Sequence, residues 1–530
     1  MPWDEALTEW RNALGAEQVA MEDAVAKAYA RTTQPHGTSP RGVLYPRSVE
    51  EVRAAVLIAA RHGIPLYPVS CGKNWGYGDA CAPQDGAVIL DLGRMNRILE
   101  INAEMGYAVI EPGVTQQQLY ERVRCDAPGF WMDSTGAGPQ ASIVGNVLER
   151  GFGHTPYGDH VRTTCGMEIV LADGRILNTG FGHFEGARAA RVYPYGVGPM
   201  LDGLFMQSNL GIVTKVCVWL YPAPEDFRLF FIKVEDDARI FPLMEALRPL
   251  RMRGILNSAV HIGNDLRVIT SLRRYPWEAT GGKTPLPESV RQTLRRETGL
   301  GAWNASGALL GTHGQVRGAV RELRKAVGAL GKLVFVDDRK LAWGKRAVAL
   351  LNRFGLGRVL AKQLEALEPN YGLLKGIPTD APLLGAQWRL RAKGPVPLDP
   401  LEAGCGLIWF SPVLPMRGED VRRLMDCVTP IFHAHGFDVP VTFTLLNERS
   451  MVAILNLAFD KSVPGDIEQA DACYKEVTAA LKEAGYPPYR LSPEGMPLWA
   501  GGGDPFWQAA REIKSVLDPK RILAPGRYIP

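Results

Sequence analysis

The stretch PVSCGKNWGYGD, residues 68–79, constrains the fold more than any other part of the chain. It follows an apolar run and sets Gly72, Gly76 and Gly78 around a lysine, an asparagine and two aromatic residues. Glycine reaches left-handed backbone without a steric penalty, so such a loop can turn successive N–H groups inward as an anion-binding nest. The pattern is neither GxGxxG nor a P-loop.

The residues before the loop predict a βαβ-like start. GVLYP reads as a short strand, and SVEEVRAAVLIAARHG as a helix capped by Ser48 and stopped at Gly63. PLYPVS is the next strand. Downstream come further short strands, a helix from Thr115, and a hairpin in TTCGMEIVLADGRILNTG with its turn at Ala172-Asp173-Gly174. From about residue 226 the texture changes to long helices and apolar strands. CGLIWFSPVLP, VPVTFTLLNERS and MVAILNLAFD predict one antiparallel sheet. Helices return from about residue 470.

At 530 residues the chain exceeds one ordinary core, so two or three domains are expected. Apolar residues are 46% and charged residues 22%, an ordinary globular balance. The net charge of +4 is mixed along the chain with no basic stripe, which argues against nucleic acid as a partner. No apolar run reaches the ~18 residues of a membrane span. The start reads as an amphipathic helix rather than a signal peptide, so a cytoplasmic location is expected. The eight cysteines form no CxxC and no zinc spacing, and are expected as small core residues; no metal is assigned.

Further glycine turns accompany the opening loop: EPGVT at 111–115, SIVGNVLERGFGHTPYGDH at 142–160, SNLGIVTK at 208–215 and ILAPGR at 522–527. Several nests in one domain suit a dinucleotide diphosphate. With MNRILEIN, YAVIEPGVT, PYGVGPMLDGLFMQSNLGIVTK, GYPPYR and DPKRILAPGR in this order, the chain resembles the vanillyl-alcohol oxidase / p-cresol methylhydroxylase family of FAD-dependent flavoproteins, in its branch that oxidises 4-alkylphenols.

The resemblance implies an α+β fold. An FAD-binding domain in two discontinuous parts, residues 1–225 and 476–530, is joined by a cap domain over residues 226–475. It implies that Val69, Ser70, Cys71, Gly72, Lys73, Asn74, Trp75, Gly145, Asn146, Gly211, Ile212 and Val213 lie against the cofactor, with Arg527 as a further positive group. It implies that Tyr77, Tyr489 and Arg490 bind the phenol oxygen. The chemistry explains that choice: a benzylic hydride leaves readily when a para-phenolate pushes electrons toward a quinone methide. A free phenol has a pKa of about 10, which a fixed guanidinium and two O–H donors lower. Substrates of the class 4-alkylphenol, 4-hydroxybenzyl alcohol or cinnamyl-type alcohol follow, as does a homodimer or larger homo-oligomer. The electron acceptor is left open among oxygen, a c-type cytochrome and a quinone. A 2-hydroxy-acid or sugar dehydrogenase of the wider superfamily is the alternative, and the Tyr77, Tyr489 and Arg490 set argues against it.

Two departures from the family pattern matter. The family's oxidases carry an Asp before VGN that assists water addition; here Ala137 or Gly138 stands there, and Asp133 is too far upstream. That favours dehydrogenase-like behaviour. Members often bond the flavin to a His before FSP or to a Tyr upstream; here Leu407 holds the His position and no Tyr lies around Gln387. Non-covalent FAD is therefore expected. In the cap, Thr442 is expected to point toward the substrate, and the roles of Glu448 and Arg449 stay open.

Overall fold

The computed structural model describes residues 2–353 and 358–529. After the helix Pro2–Leu14 the first sheet has four strands, in the order Val19–Ala20, Gly42–Leu44, Val88–Asp91, Leu66–Val69. Its last three strands run parallel, because the helix Val49–His62 carries the chain back between two of them. That helix has the ends read from sequence. The Ser48 side chain accepts from the Glu51 N–H at 3.2 Å, and Gly63 stops the helix at φ +65°.

The second sheet is antiparallel, in the order Ile98–Asn102, Tyr107–Ile110, Ile212–Trp219, Thr164–Val170, Ile176–Asn178. The helix Gln116–Asp126 packs beside it, opened by a capping box between Thr115 and Gln118. The hairpin expected at 164–178 forms with its turn at the expected place.

The third sheet is the antiparallel one expected in the cap. Its order is Lys332–Val336, Asp226–Val234, Trp303–Gly311, Val260–Asn264, Val441–Leu445, Ser450–Asp460, Cys405–Phe410, with Val413–Pro415 also paired to Ser450–Asp460. Strand alternation gives this sheet two distinct faces. Ile262, Phe443, Leu455, Leu457, Ile408 and Phe410 point to one face, where the helices Ile240–Met252, His313–Val327, Gly418–Ala434 and Asp466–Glu483 cover them. Burying each such side chain contributes roughly 1.5–3 kcal/mol. His261, Gly263, Thr442, Thr444, Ile454, Asn456, Leu407 and Trp409 occupy the opposite face.

That second face meets the glycine loop. The Trp409 indole N–H donates to the Trp75 carbonyl at 3.1 Å, and the Trp409 N–H to the Gly76 carbonyl at 3.4 Å. A Cβ on Gly76 would lie 2.2 Å from Trp409 Cδ1, and Gly76 has φ +74°, so both space and backbone require glycine there. Residues near 522–524 return to the first sheet, where Leu523 bridges Leu66 in parallel. Among the described residues no helix is long and apolar enough to cross a membrane. Five of the eight free cysteines are buried as expected; Cys125 is exposed.

Candidate active site

The strand Leu66–Val69 delivers the loop to the edge of the first sheet. Gly72, Gly76 and Gly78 all have positive φ, at +66°, +74° and +108°. Among the described residues the N–H groups of Gly72, Lys73 and Asn74 have no protein acceptor. Three successive free donors form a nest suited to a diphosphate. Gly145 sits just across from it: a Cβ there would lie 2.6 Å from Ser70 Oγ, so the loop serine packs directly on the Gly145 backbone. Asn146 Oδ1 is within 2.6 Å of His160 Nδ1, while His160 Nε2 lies 2.7 Å from Asp133 Oδ2. Ile212 and Val213 are buried in their strand, and the nearby Ser208 Oγ is buried without a partner among the described residues. A cradle of glycines, a donor nest and an orphaned hydroxyl fit a dinucleotide such as FAD.

Lys73 turns away from the nest. Its ammonium pairs with Asp399 of the cap at 2.6 Å. Burial opposes ionisation of Asp399, but Lys73 outweighs it and holds the carboxyl below its ordinary range.

The three residues expected at the phenol oxygen converge. The Arg490 guanidinium lies 4.4 Å over the Tyr77 ring and hydrogen-bonds Asn74 Oδ1. The Tyr77 hydroxyl donates to Ser411 Oγ at 2.9 Å, and Tyr489 lies beside Tyr77 and Arg490. Backbone pairing fixes the register. Tyr489 N–H donates to the Ser411 carbonyl at 3.1 Å, and Gln207 Nε2 donates to the Tyr489 carbonyl at 2.7 Å. Burial pushes both phenols above their ordinary range, so each stays a donor at neutral pH.

The residue at the centre of this cluster is Glu149, which the sequence did not single out. Its carboxylate takes Arg490 Nε at 3.2 Å and Arg527 Nη2 at 2.8 Å, and accepts from the Tyr528 hydroxyl. Burial opposes its ionisation, but Arg527, Arg490 and Tyr528 together hold it below its ordinary range. Arg527 also donates to the Leu491 carbonyl at 3.0 Å, so this residue belongs to the same cluster. One carboxylate thus serves two guanidiniums, and the cluster keeps one uncompensated positive charge.

Other sequence candidates resolve into structural roles. Asp133 accepts from the His154 and Thr155 N–H groups at 3.1 and 2.6 Å as well as facing His160. Glu448 pairs with Arg162 at 3.4 Å and not with Arg449. Leu407 is 2% exposed and packs with Trp75, Leu383 and Ala386. Trp388 gives its indole N–H to Asp438 at 2.9 Å. Thr442 lies on the face of the cap sheet that meets the loop.

The nest, the glycine cradle and the cap together define an FAD-dependent oxidoreductase built on the p-cresol methylhydroxylase plan. Comparison with known proteins agrees. A family model described as an FAD binding domain matches residues 40–180. The chain is 38% identical to 1'-carboxy-chondrochloren decarboxylase of Chondromyces crocatus, over 99% of this chain and 97% of that protein. It is 32% identical to the 4-cresol dehydrogenase [hydroxylating] flavoprotein subunit of Pseudomonas putida, over 99% of this chain and 95% of that protein. The solved structure of p-cresol methylhydroxylase with substrate bound superposes with a TM-score of 0.89 at 32% identity, covering 99% of this chain and 96% of that one. The chain belongs to the p-cresol methylhydroxylase family of FAD-dependent flavoproteins.

Proposed function

We propose that the chain oxidises a para-substituted phenol by removing a hydride from the benzylic carbon, with the substrate passing through a p-quinone methide. The observation that carries this reading is the unbalanced charge around Glu149. Two guanidiniums share one carboxylate, and Tyr77 and Tyr489 stay protonated beside them. A phenolate supplies the missing negative charge and accepts from the tyrosine hydroxyls, Tyr77 turning its O–H from Ser411 to do so. Arg490 suits the role because its guanidinium does not give up its proton.

FAD, held by residues 69–75, Gly145, Asn146 and 211–213, supplies the hydride acceptor. Its attachment is non-covalent in this reading, because Leu407 offers no nucleophile to the ring. The division into a flavin domain over 1–225 and 476–530 and a cap over 226–475 is supported by the third sheet, which draws its strands only from 226–460. The Pseudomonas relative is named a flavoprotein subunit of a dehydrogenase, which supports a second protein subunit as partner; oxygen, a c-type cytochrome and a quinone stay the candidate electron acceptors. The Chondromyces relative is named a decarboxylase of a carboxy compound, so side-chain acids belong in the substrate panel. A cytoplasmic setting suits eight cysteines that form no disulfide among the described residues.

The test is stopped-flow flavin reduction under argon with 4-alkylphenols and 4-hydroxybenzyl alcohols. Losing a charge-assisted hydrogen bond costs roughly 1.5–3 kcal/mol, so Arg490→Ala is expected to slow reduction about ten- to a hundredfold. Tyr77→Phe and Tyr489→Phe remove one neutral donor each and slow it less. Oxidation of 4-methoxybenzyl alcohol as fast as 4-hydroxybenzyl alcohol would refute the phenolate mechanism.

A further inference from the structure

Arg267 follows the strand Val260–Asn264, on the short helix Asp265–Thr270. Its stem crosses Gly263: a Cβ on that glycine would lie 3.5 Å from Arg267 Cγ and 3.7 Å from Thr442 Oγ1. The arm therefore lies on the face of the cap sheet that meets the flavin loop. Its Nη1 is fully buried and has no hydrogen-bond partner among the described residues. No side-chain acceptor or carboxylate pairs with its guanidinium among the described residues, and burial alone depresses its pKa. Nothing offsets the cost of placing this charge there.

Among the described residues two more polar groups on the same face are orphaned. His261 Nδ1 lies 3.1 Å from Thr444 Oγ1, but its Nε2 is buried without a partner. Asn456 has both amide atoms buried and unpaired. Native proteins leave few such groups, and each asks for an explanation. Here a cation, an imidazole nitrogen and an amide share one face.

The surroundings place this group beside the cofactor end of the site. The turn Ala381–Gln387 reaches Gly138 through Leu383 and reaches Arg267 Nη1 at Gly385. Gly138 is one of the two residues standing where the family's oxidases keep an acid. In the sheet, three strand spacings of ~4.8 Å, about 14 Å, separate the Trp409 strand from the Gly263 strand. A phenol ring carrying a short acid chain matches that span once the arginine arm is counted.

We propose that Arg267, assisted by His261, Thr442 and Asn456, forms a carboxylate-binding subsite for the side chain of the phenol. The inference rests on the phenol reading above and names its substrate class: para-substituted phenols whose side chain ends in a carboxylate. A planar guanidinium with no internal acid pairs with a carboxylate through two parallel N–H donors. His261 is neutral, since burial, His154 and Arg267 all oppose its protonation, so it adds a hydrogen bond and no charge.

The experiment measures binding, not turnover. The ligands are 4-hydroxycinnamate, which has no sp3 C–H, and 4-(1-propenyl)phenol, whose one sp3 carbon is an allylic methyl and whose titration is therefore read under argon before any bleaching of the flavin. Their dissociation constants are read from perturbation of the flavin spectrum of the FAD-loaded protein. Arg267→Gln is expected to weaken 4-hydroxycinnamate about ten- to a hundredfold and to leave 4-(1-propenyl)phenol within about twofold. Arg267→Lys is expected to restore part of the loss. Equal loss for both ligands, or no loss for the acid, would overturn the subsite. If the methyl ether of 4-(1-propenyl)phenol binds wild-type protein as well as the phenol does, the phenol reading fails, and this inference with it. A second readout separates a binding arginine from a structural one: Arg267→Met is expected to raise the Tm of the ligand-free holoprotein, and a lowered Tm would show that the fold depends on this charge.

Discussion

Glu149 and Arg267 are both charged groups largely removed from water, and the protein treats them in opposite ways. Glu149 is held by Arg490, Arg527 and Tyr528. Arg267 has no partner among the described residues for its buried Nη1. The first cluster is built before any ligand arrives; its spare positive charge is the residue of interactions that are otherwise complete. The second leaves its interactions unmade. A completed cluster contributes to stability and binds as a rigid template. An incomplete one lowers stability until something binds. The comparison therefore predicts opposite signs for equivalent substitutions at the two places.

The largest effect is expected at Glu149. Glu149→Gln leaves two buried guanidiniums without their carboxylate and should cost about 3–5 kcal/mol, measured by urea denaturation of the holoprotein. A loss under ~1 kcal/mol would mean that water replaces the carboxylate and that the cluster is less completed than its distances suggest. Acid titration sharpens the same point. The folded pKa of Glu149 lies below its ordinary value, so its contribution is present above about pH 4.3 and lost as pH falls through the depressed folded value. The gap in stability between wild type and Glu149→Gln should be widest near neutrality and close on acidification. A gap that stays constant down to pH 3 would place the effect in packing, not charge.

Opposite in sign and smaller is the outcome expected at Asn456. Asn456→Leu removes a buried amide with no partner, and should raise stability by about 1 kcal/mol. Destabilisation would show that the amide is satisfied in solution. The smallest effect is expected at Thr442, whose substitution by valine keeps the volume on the same strand face. Its Tm should change by no more than the equivalent of ~0.5 kcal/mol. A larger loss would give the hydroxyl a structural hydrogen-bond partner in the folded protein.

The same contrast explains what the sequence could reveal. Ser48, Thr115 and Gly63 act locally, within one or two turns, so helix ends could be read from neighbouring residues. Part of the cap sheet was legible, because strands such as Cys405–Phe410 and Ser450–Asp460 are rich in apolar residues; Val260–Asn264, Trp303–Gly311 and Lys332–Val336, with small and polar residues among them, were not read. Tyr77, Tyr489 and Arg490 came from the resemblance, since no local signal links residues hundreds of positions apart. Glu149 was missed because, in VLERGFGH, it looks like any acid after a helix. Its meaning depends on Arg490 and Arg527, which are 341 and 378 positions away. Arg267 was missed for a different reason. In GNDLRVIT it resembles an ordinary surface arginine, and what distinguishes it is a missing partner, which no motif can record.

The pairing of Tyr77 with Ser411, Asn74 with Arg490 and Glu149 with Arg527 spans 334, 416 and 378 residues. A ribosome working at about 5–20 residues per second needs roughly 20–80 s to supply partners so distant. Throughout that interval the early half of the pocket is translated and unfinished, with an unpaired Glu149 and an uncovered glycine loop. The nascent flavin domain cannot close on its own schedule; its completion waits on synthesis of the cap and of the segment beyond it.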